Sequence, residues 1–158
     1  MVLDAVEKRN QRQKERMFDH ITSKYGSDLT GKVFAIWGLA FKPGTDDMRE
    51  APSVVLIKSL IIAGAMVQAF DPVAVGEAKK KFPQEWISEK KLIFFDDNYA
   101  ALENSDALVL MTEWKMFRNP SLSKMKELMN NLCIFDGRNQ YDPGYMRENG
   151  FEYKGIGR

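Results

Sequence analysis

The chain has 158 residues, which suits one compact domain and is too short for two full nucleotide-binding domains with a connecting core. Its 23 Lys and Arg residues are balanced by 22 Asp and Glu residues, and the net charge of +1 argues against a broadly basic surface for nucleic acid. A single cysteine and a single histidine exclude an intrachain disulfide and argue against a metal centre, so the sequence predicts no bound metal and a reducing, cytoplasmic location. The longest apolar stretch, Ser53–Met66, is interrupted by Lys58 and is shorter than the roughly 20 residues of a membrane-spanning helix.

The first predicted element is a long N-terminal helix over residues 3–25. At about 100° per residue, one face of this helix collects Leu3, Val6, Met17, Phe18 and Ile21. Asn10 and Lys14 fall on the same face, so the stripe is apolar at both ends and polar in the middle. Such a helix is either solvated and held by its last turn, or it crosses exposed space to dock on another part of a protein.

Beyond Lys32 the sequence alternates between apolar runs and helical patterns. Buried strands are predicted at Val33–Trp37, Met66–Phe70, Leu92–Phe95, Ala107–Met111 and Cys133–Asp136. Helices are predicted at Ala51–Ala63, Ala74–Phe82, Asn98–Asn104, Leu122–Asn130 and Tyr145–Asn149, before an edge strand at Phe151–Tyr153. Continuous apolar strands are typical of a parallel sheet covered on both faces, so the predicted class is α/β, with a Rossmann-like doubly wound sheet.

The loop after the first strand, Gly38–Glu50, is about twice as long as the usual two to six residues. It carries Lys42 and Arg49 close to the start of the next helix, where anions bind readily. The alternative is that Thr45, Asp46 and Asp47 merely turn and cap the chain while both cations are solvated, and the loop by itself favours that interpretation.

A dinucleotide fingerprint G-x-G-x-x-G is absent from this loop, because Gly38 is followed by no further glycine until Gly44. The bulky residues between them would keep the backbone from a pyrophosphate. Asp71 ends the second strand, where an NAD site has its ribose-binding acid, but Asp71-Pro72 is also an ordinary turn and is interpreted as structural. The sequence therefore predicts a nucleotide-binding shape without an NAD site of its own.

A second cation, Arg138, follows the fifth strand in Asp136-Gly137-Arg138-Asn139. Because parallel strands end at one edge of the sheet, Lys42 and Arg138 are expected on the same edge. Two cations there would suit a diphosphate.

Four segments resemble one known family. They are Gly38–Ser53 (GLAFKPGTDDMREAPS), Ala107–Trp114 (ALVLMTEW), Phe135–Asn139 (FDGRN) and Tyr153–Arg158 (YKGIGR). Together they resemble the C-terminal, UDP-binding domain of the UDP-glucose/GDP-mannose dehydrogenase family, over residues 30–158. Thr-Glu-Trp and Asp-Gly-Arg-Asn are similar to the bacterial UDP-glucose branch rather than the GDP-mannose branch.

The resemblance implies an enzyme that oxidises the C6 alcohol of UDP-glucose to a carboxylate in two hydride transfers to NAD, through a cysteine-bound intermediate. It implies that Phe41, Lys42 and Arg138 contact the UDP-sugar and that Arg49 reaches the NAD, which an N-terminal domain would hold. Residues 1–26 would be the end of the central connecting helix and residues 27–158 the UDP-sugar-binding domain. The family assembles through its central helices, so a homodimer or higher oligomer is expected.

No catalytic residue is expected within this chain. Cys133 lies in an apolar run without a histidine or lysine beside it and is interpreted as a buried, inert thiol, and His20 as a surface or interface residue. The alternative to a dehydrogenase fragment is a stand-alone Rossmann-like domain that binds or senses a nucleotide without catalysis. An upstream reading frame with the glycine fingerprint and a catalytic cysteine would distinguish the two, and the charged start of the first helix favours the fragment.

Overall fold

The computed structural model describes residues 2–157, and within the first helix it describes the side chains of Ala5 and of residues from Lys14 onward. The predicted positions of Leu3, Val6 and Asn10 on the helix stripe therefore lie outside the described side chains. In the described residues the α-helices are α1 (Val2–Tyr25), α2 (Pro52–Ile62), α3 (Val75–Lys79), α4 (Gln84–Ser88), α5 (Leu122–Leu128) and α6 (Pro143–Glu148). The strands are β1 (Val33–Trp37), β2 (Met66–Phe70), β3 (Leu92–Phe94), β4 (Ala107–Leu110), β5 (Cys133–Asp136) and β6 (Glu152–Gly155).

The six strands form one parallel sheet in the order β3-β2-β1-β4-β5-β6, which confirms the predicted doubly wound α/β fold. Side chains of a strand point alternately to the two faces of the sheet, so β1 serves two cores. Phe34 and Ile36 pack on the face covered by α1 and α2, whereas Ala35 and Trp37 pack on the face covered by α5 and α6. None of the helices within residues 2–157 is long and apolar enough to cross a membrane.

The predicted helix Ala74–Phe82 is wrong in its last three residues, because α3 ends at Lys79 and a separate helix, α4, follows. Pro83 precedes α4 with φ −55° and ψ 131°, an extended conformation that no continuing helix allows. The predicted helix Asn98–Asn104 is a 3₁₀ turn at Ala100–Leu102. Asn104 stops it with a φ of 60°, in the left-handed region. A second 3₁₀ turn at Lys115–Phe117 was not predicted.

Candidate functional site

A cavity of about 630 Å³ lies between α1 and the carboxyl edge of the sheet, where β4 and β5 end. Its apolar lining residues are Met17, Phe41, Pro52, Met111 and Ile156, and its charged ones are Lys14, Arg16, Glu50 and Arg138. Pockets for small ligands usually measure about 300–1,000 Å³ and combine an apolar lining with a few polar groups. The cavity therefore has the size and the lining of a site for a nucleotide-sized anion.

Arg138 is held at this cavity by three groups from other parts of the chain. Its Nε donates to the carbonyl oxygen of Met111 and its Nη2 to that of Phe41, both over 3.0 Å. The carboxylate of Glu113 lies 2.9 Å from Nε. A guanidinium fixed in this way has its orientation set before a ligand arrives, which favours recognition of a phosphate.

The turn that presents Arg138 is built on the buried carboxylate of Asp136, which is fully excluded from solvent. Asp136 Oδ1 accepts from the backbone N–H of Arg138 over 3.0 Å. Asp136 Oδ2 accepts from the N–H of Tyr141 over 2.9 Å and from the hydroxyl of Tyr153 over 2.7 Å. The carboxylate thereby joins the end of β5 to β6 and fixes the place where the arginine leaves the sheet.

Asp71 performs the corresponding role for the loop after β1. Its Oδ2 accepts from the N–H groups of Leu39 over 2.8 Å and Ala40 over 3.2 Å, and from the indole of Trp114 over 3.2 Å. Its Oδ1 accepts from two N–H groups of its own turn, those of residues 73 and 74. Asp71 is only 3% exposed, and both oxygens of its carboxylate are hydrogen-bonded within the protein. Asp71 therefore has the structural role that the sequence predicted.

The start of the loop is further held by a close approach of Gly38 to Thr112. A Cβ on Gly38 would lie 2.5 Å from Thr112, and the φ of Gly38 is 96°, in the region that favours glycine. The hydroxyl of Thr112 donates to the carbonyl oxygen of Ala40 over 2.8 Å. These contacts join the segment after β1 to the segment after β4 at the carboxyl edge of the sheet.

The structure brings together two of the four predicted site residues. Phe41 is 45% exposed and lines the cavity beside Arg138. Lys42 follows Phe41 on the same edge of the sheet, as the sequence predicts, but it is exposed and is not one of the residues that line the cavity.

Arg49 is not one of the residues that line the cavity, and its side chain is 85% exposed. Its guanidinium donates to both oxygens of Asp47, over 3.0 and 3.1 Å, and holds the pKa of that carboxyl at about 2. Asp47 also accepts the N–H of Arg49, and the hydroxyl of Thr45 accepts the N–H of Asp47, over 3.0 and 3.1 Å. The middle of the loop therefore turns and caps itself, as the alternative interpretation stated.

Three charged lining residues were missed as site residues by the sequence analysis: Lys14, Arg16 and Glu50. Lys14 pairs with Glu50, and its side chain is only 17% exposed. The signal was present, because Lys14 shares the face of α1 that carries Met17 and Ile21. A largely enclosed lysine beside apolar residues of a helix face favours an anionic partner or a bound anion.

A second cavity of about 430 Å³ lies between α1 and the strands β5 and β6, and it includes His20 and Cys133. Cys133 is buried, and burial raises the pKa of its thiol, as expected for an inert cysteine. Nε2 of His20 makes no hydrogen bond within the described residues, and burial lowers the pKa of the imidazole. No group of three or more potential ligands in residues 2–157 is arranged to hold a metal ion.

The fold and the cavity define a Rossmann-like domain with a cavity of nucleotide size at the carboxyl edge of its sheet. Residues 35–143 match the UDP binding domain of the UDP-glucose/GDP-mannose dehydrogenase family, and the chain belongs to this family.

Two of the similar proteins are a UDP-glucose 6-dehydrogenase of Pseudomonas aeruginosa, 48% identical, and the UDP-glucose 6-dehydrogenase YwqF of Bacillus subtilis, 38% identical, each over 99% of this chain. The match covers 34% of each relative, so the chain spans about a third of their length. Among solved structures, a UDP-glucose dehydrogenase of Pyrobaculum islandicum has the same fold, with a TM-score of 0.75 and 24% identity. That match covers 97% of this chain and 31% of the archaeal one.

Proposed function

We propose that this chain is the UDP-sugar-binding part of a UDP-glucose 6-dehydrogenase and that its ligand binds in the cavity beside Arg138. The observation that carries the proposal is the guanidinium of Arg138, which Phe41 and Met111 hold at a cavity of nucleotide size. A guanidinium fixed by its Nε and one Nη still has N–H groups for a phosphate. The relatives named as UDP-glucose 6-dehydrogenases indicate the nucleotide and the sugar.

Three residues are assigned to the UDP-sugar. Arg138 would bind the diphosphate, and the exposed ring of Phe41 would pack against the sugar or the base. Lys42, next to Phe41 on the same edge of the sheet, would approach the diphosphate from outside the cavity. In this assignment residues 27–158 are the UDP-sugar-binding domain, and residues 1–26 are the end of a helix that connects it to the rest of the enzyme.

NAD does not fit a complete site within this chain. In a dinucleotide-binding fold the N–H groups after the first strand face the pyrophosphate, but here those of Leu39 and Ala40 donate to Asp71. We assign the binding of NAD mainly to another domain of the enzyme, with Arg49 reaching toward it from the exposed loop. The buried thiol of Cys133 is unsuited to carry an intermediate, so this chain is expected to bind its ligand and to reduce no NAD.

Calorimetric titration of the chain with UDP, and with GDP for comparison, tests the proposal. We expect saturable binding of UDP, no UDP-glucose-dependent formation of NADH, and weaker binding of UDP after Arg138→Ala or Lys42→Ala. Arg147→Ala is a matched control, because Arg147 also donates from Nη2 to a backbone carbonyl, that of Tyr153, but lies outside the cavity. Absence of UDP binding, or equal affinity in Arg138→Ala and the unmodified chain, would contradict the proposal.

A further inference from the structure

Helix α1 forms one side of the cavity and contributes two cations to its lining, Lys14 and Arg16. Lys14 is the less exposed of the two. The side chain of Lys14 is 17% exposed, whereas the side chain of its partner Glu50 is 79% exposed. The lysine side chain is thus largely enclosed, whereas the glutamate side chain that pairs with it remains in water. Hydration of Glu50 makes this pair easy to break, since exposed ion pairs contribute little stability.

Glu50 also has an unusual backbone. Its φ is 58°, in the left-handed region, although it is not a glycine. Such a conformation is unfavourable for a residue with a side chain, and in proteins it is often found at functional sites. Glu50 is the last residue of the loop before Ala51 and α2, and in this conformation its carboxylate contacts Lys14 of α1 at the cavity.

The charges around the cavity are unequal. Among the described residues, Lys14, Arg16 and Arg138 line it together with one carboxylate, that of Glu50, while Glu113 contacts Arg138 without lining the cavity. A nucleoside diphosphate would bring at least two negative charges to this set. Its phosphate can form the same kind of charge-assisted hydrogen bond with Lys14 that Glu50 forms.

We propose that Lys14 is a further binding residue for the diphosphate and that Glu50 occupies its ammonium group until the phosphate replaces it. This inference rests on the proposed function, because it takes the ligand of the cavity to be a nucleoside diphosphate. It gives α1 a ligand contact, whereas the sequence analysis assigned this helix only a connecting role. The helix and the domain that follows it would then form the site together.

The test measures the affinity for UDP by calorimetry in two single variants of this chain. Lys14→Met keeps the length and the apolar stem of the side chain but removes the charge, and it should weaken UDP binding by about tenfold. Glu50→Gln removes the competing carboxylate, and it should tighten UDP binding by about two- to fivefold. The opposite signs are specific to an exchange of partners.

A matched pair elsewhere on α1 provides the control. Lys24 forms an ion pair with Glu152, outside the lining of this cavity. Lys24→Met and Glu152→Gln remove the same charges from the same helix and from its partner, so they should leave the affinity for UDP unchanged. Melting temperatures of all four variants identify any loss of folding.

The outcomes separate this inference from the proposed function. If UDP binds and Arg138→Ala weakens it, but Lys14→Met has no effect, the assignment of Lys14 is wrong and the proposed function stands. If Lys14→Met and Glu50→Gln both weaken binding, the pair is a structural link between α1 and the loop, and the exchange is excluded. If the unmodified chain binds no UDP, the proposed function fails, and this inference fails with it.

Discussion

Nη2 of Arg138 donates to the carbonyl oxygen of Phe41 over 3.0 Å, between residues that are 97 positions apart in the chain. The bond joins the loop after β5 to the loop after β1, two segments that no local pattern connects. It makes Arg138 both the candidate phosphate ligand and a support for the ring that lies beside it. A substitution of Arg138 that keeps its charge should therefore show what the loss of its hydrogen-bond geometry alone does to UDP binding.

Arg138→Lys keeps the charge but loses the planar group that reaches two carbonyl oxygens. We expect UDP affinity to fall by about tenfold, because one point charge cannot replace the oriented N–H groups. Calorimetry at constant ionic strength measures the change. Arg147→Lys, which changes an arginine outside the cavity, should leave the affinity as it is. Full affinity in Arg138→Lys would mean that only the charge of this residue matters.

Gly38→Ala should destabilise the fold, since the new Cβ would meet the backbone N of Thr112 at 2.5 Å and would require a positive φ. We expect a loss of about 2–4 kcal/mol in the free energy of unfolding, measured with urea. Gly76→Ala, in α3, is the matched control: nothing lies within 4 Å of its Cβ position, and alanine favours a helix by up to about 1 kcal/mol. Equal effects of the two substitutions would contradict the close approach of β1 and β4.

Asp71→Asn should destabilise the protein by about 3 kcal/mol, because one carboxylate oxygen becomes an N–H₂ group that faces N–H donors. The loop after β1 loses its support at the same time, so UDP affinity should fall together with stability. Urea denaturation and calorimetry measure the two effects. Asp96→Asn, an exposed aspartate on the same edge of the sheet, should change neither quantity. A neutral Asp71→Asn would show that the five hydrogen bonds contribute little.

Burial raises the pKa of Tyr25 above its ordinary value of about 10. Above pH 10 the folded protein keeps the phenolic proton of Tyr25, whereas the unfolded chain releases it. The contribution of this phenol to the free energy of unfolding is therefore complete below pH 10 and is lost as the pH rises further. Tyr25→Phe keeps the ring that packs edge-on against Phe34, with centroids 5.7 Å apart. Above pH 10 the stability of the variant should therefore fall less steeply with pH than that of the unmodified chain.

Denaturant unfolding at several pH values checks this expectation for Tyr25. Tyr145→Phe, which changes a tyrosine that is 55% exposed, should leave the alkaline slope unaltered. Identical slopes for Tyr25→Phe and the unmodified chain would show that the Tyr25 phenol is accessible in the folded state.

Cys133 should react slowly with a thiol reagent at pH 8 in the folded protein and rapidly after unfolding, because burial disfavours the thiolate. Cys133→Ala should lower the free energy of unfolding by about 1 kcal/mol, through lost packing, and leave UDP affinity unchanged. The reaction is followed by the absorbance of the chromophoric thiolate that the reagent releases. A fast reaction in the folded state would contradict the assignment of a buried, inert thiol.

Most strands were predictable from the sequence for one physical reason. A strand that is covered on both faces is mainly apolar, so β1, β2 and β5 are visible in the sequence with the observed bounds. Only Gln68 interrupts the apolar run of β2, and the run of β5 ends at Asp136. The short helices were less predictable, because the position at which each one stops depends on single residues such as Pro83 and Asn104. The predicted shared edge for Lys42 and Arg138 followed from the parallel sheet alone.

By itself the sequence determined the fold class, the carboxyl edge at which ligand residues gather, and the absence of a dinucleotide fingerprint, since each depends on local patterns. Only the tertiary structure decided which side chains meet there. Lys14 and Glu50 are 36 positions apart, and Leu39 and Asp71 are 32 apart. Their contacts depend on how α1 and the loop after β1 pack on the sheet. No pattern within one segment contains that information, because a buried charge is satisfied by whichever partner the packing brings within hydrogen-bond distance.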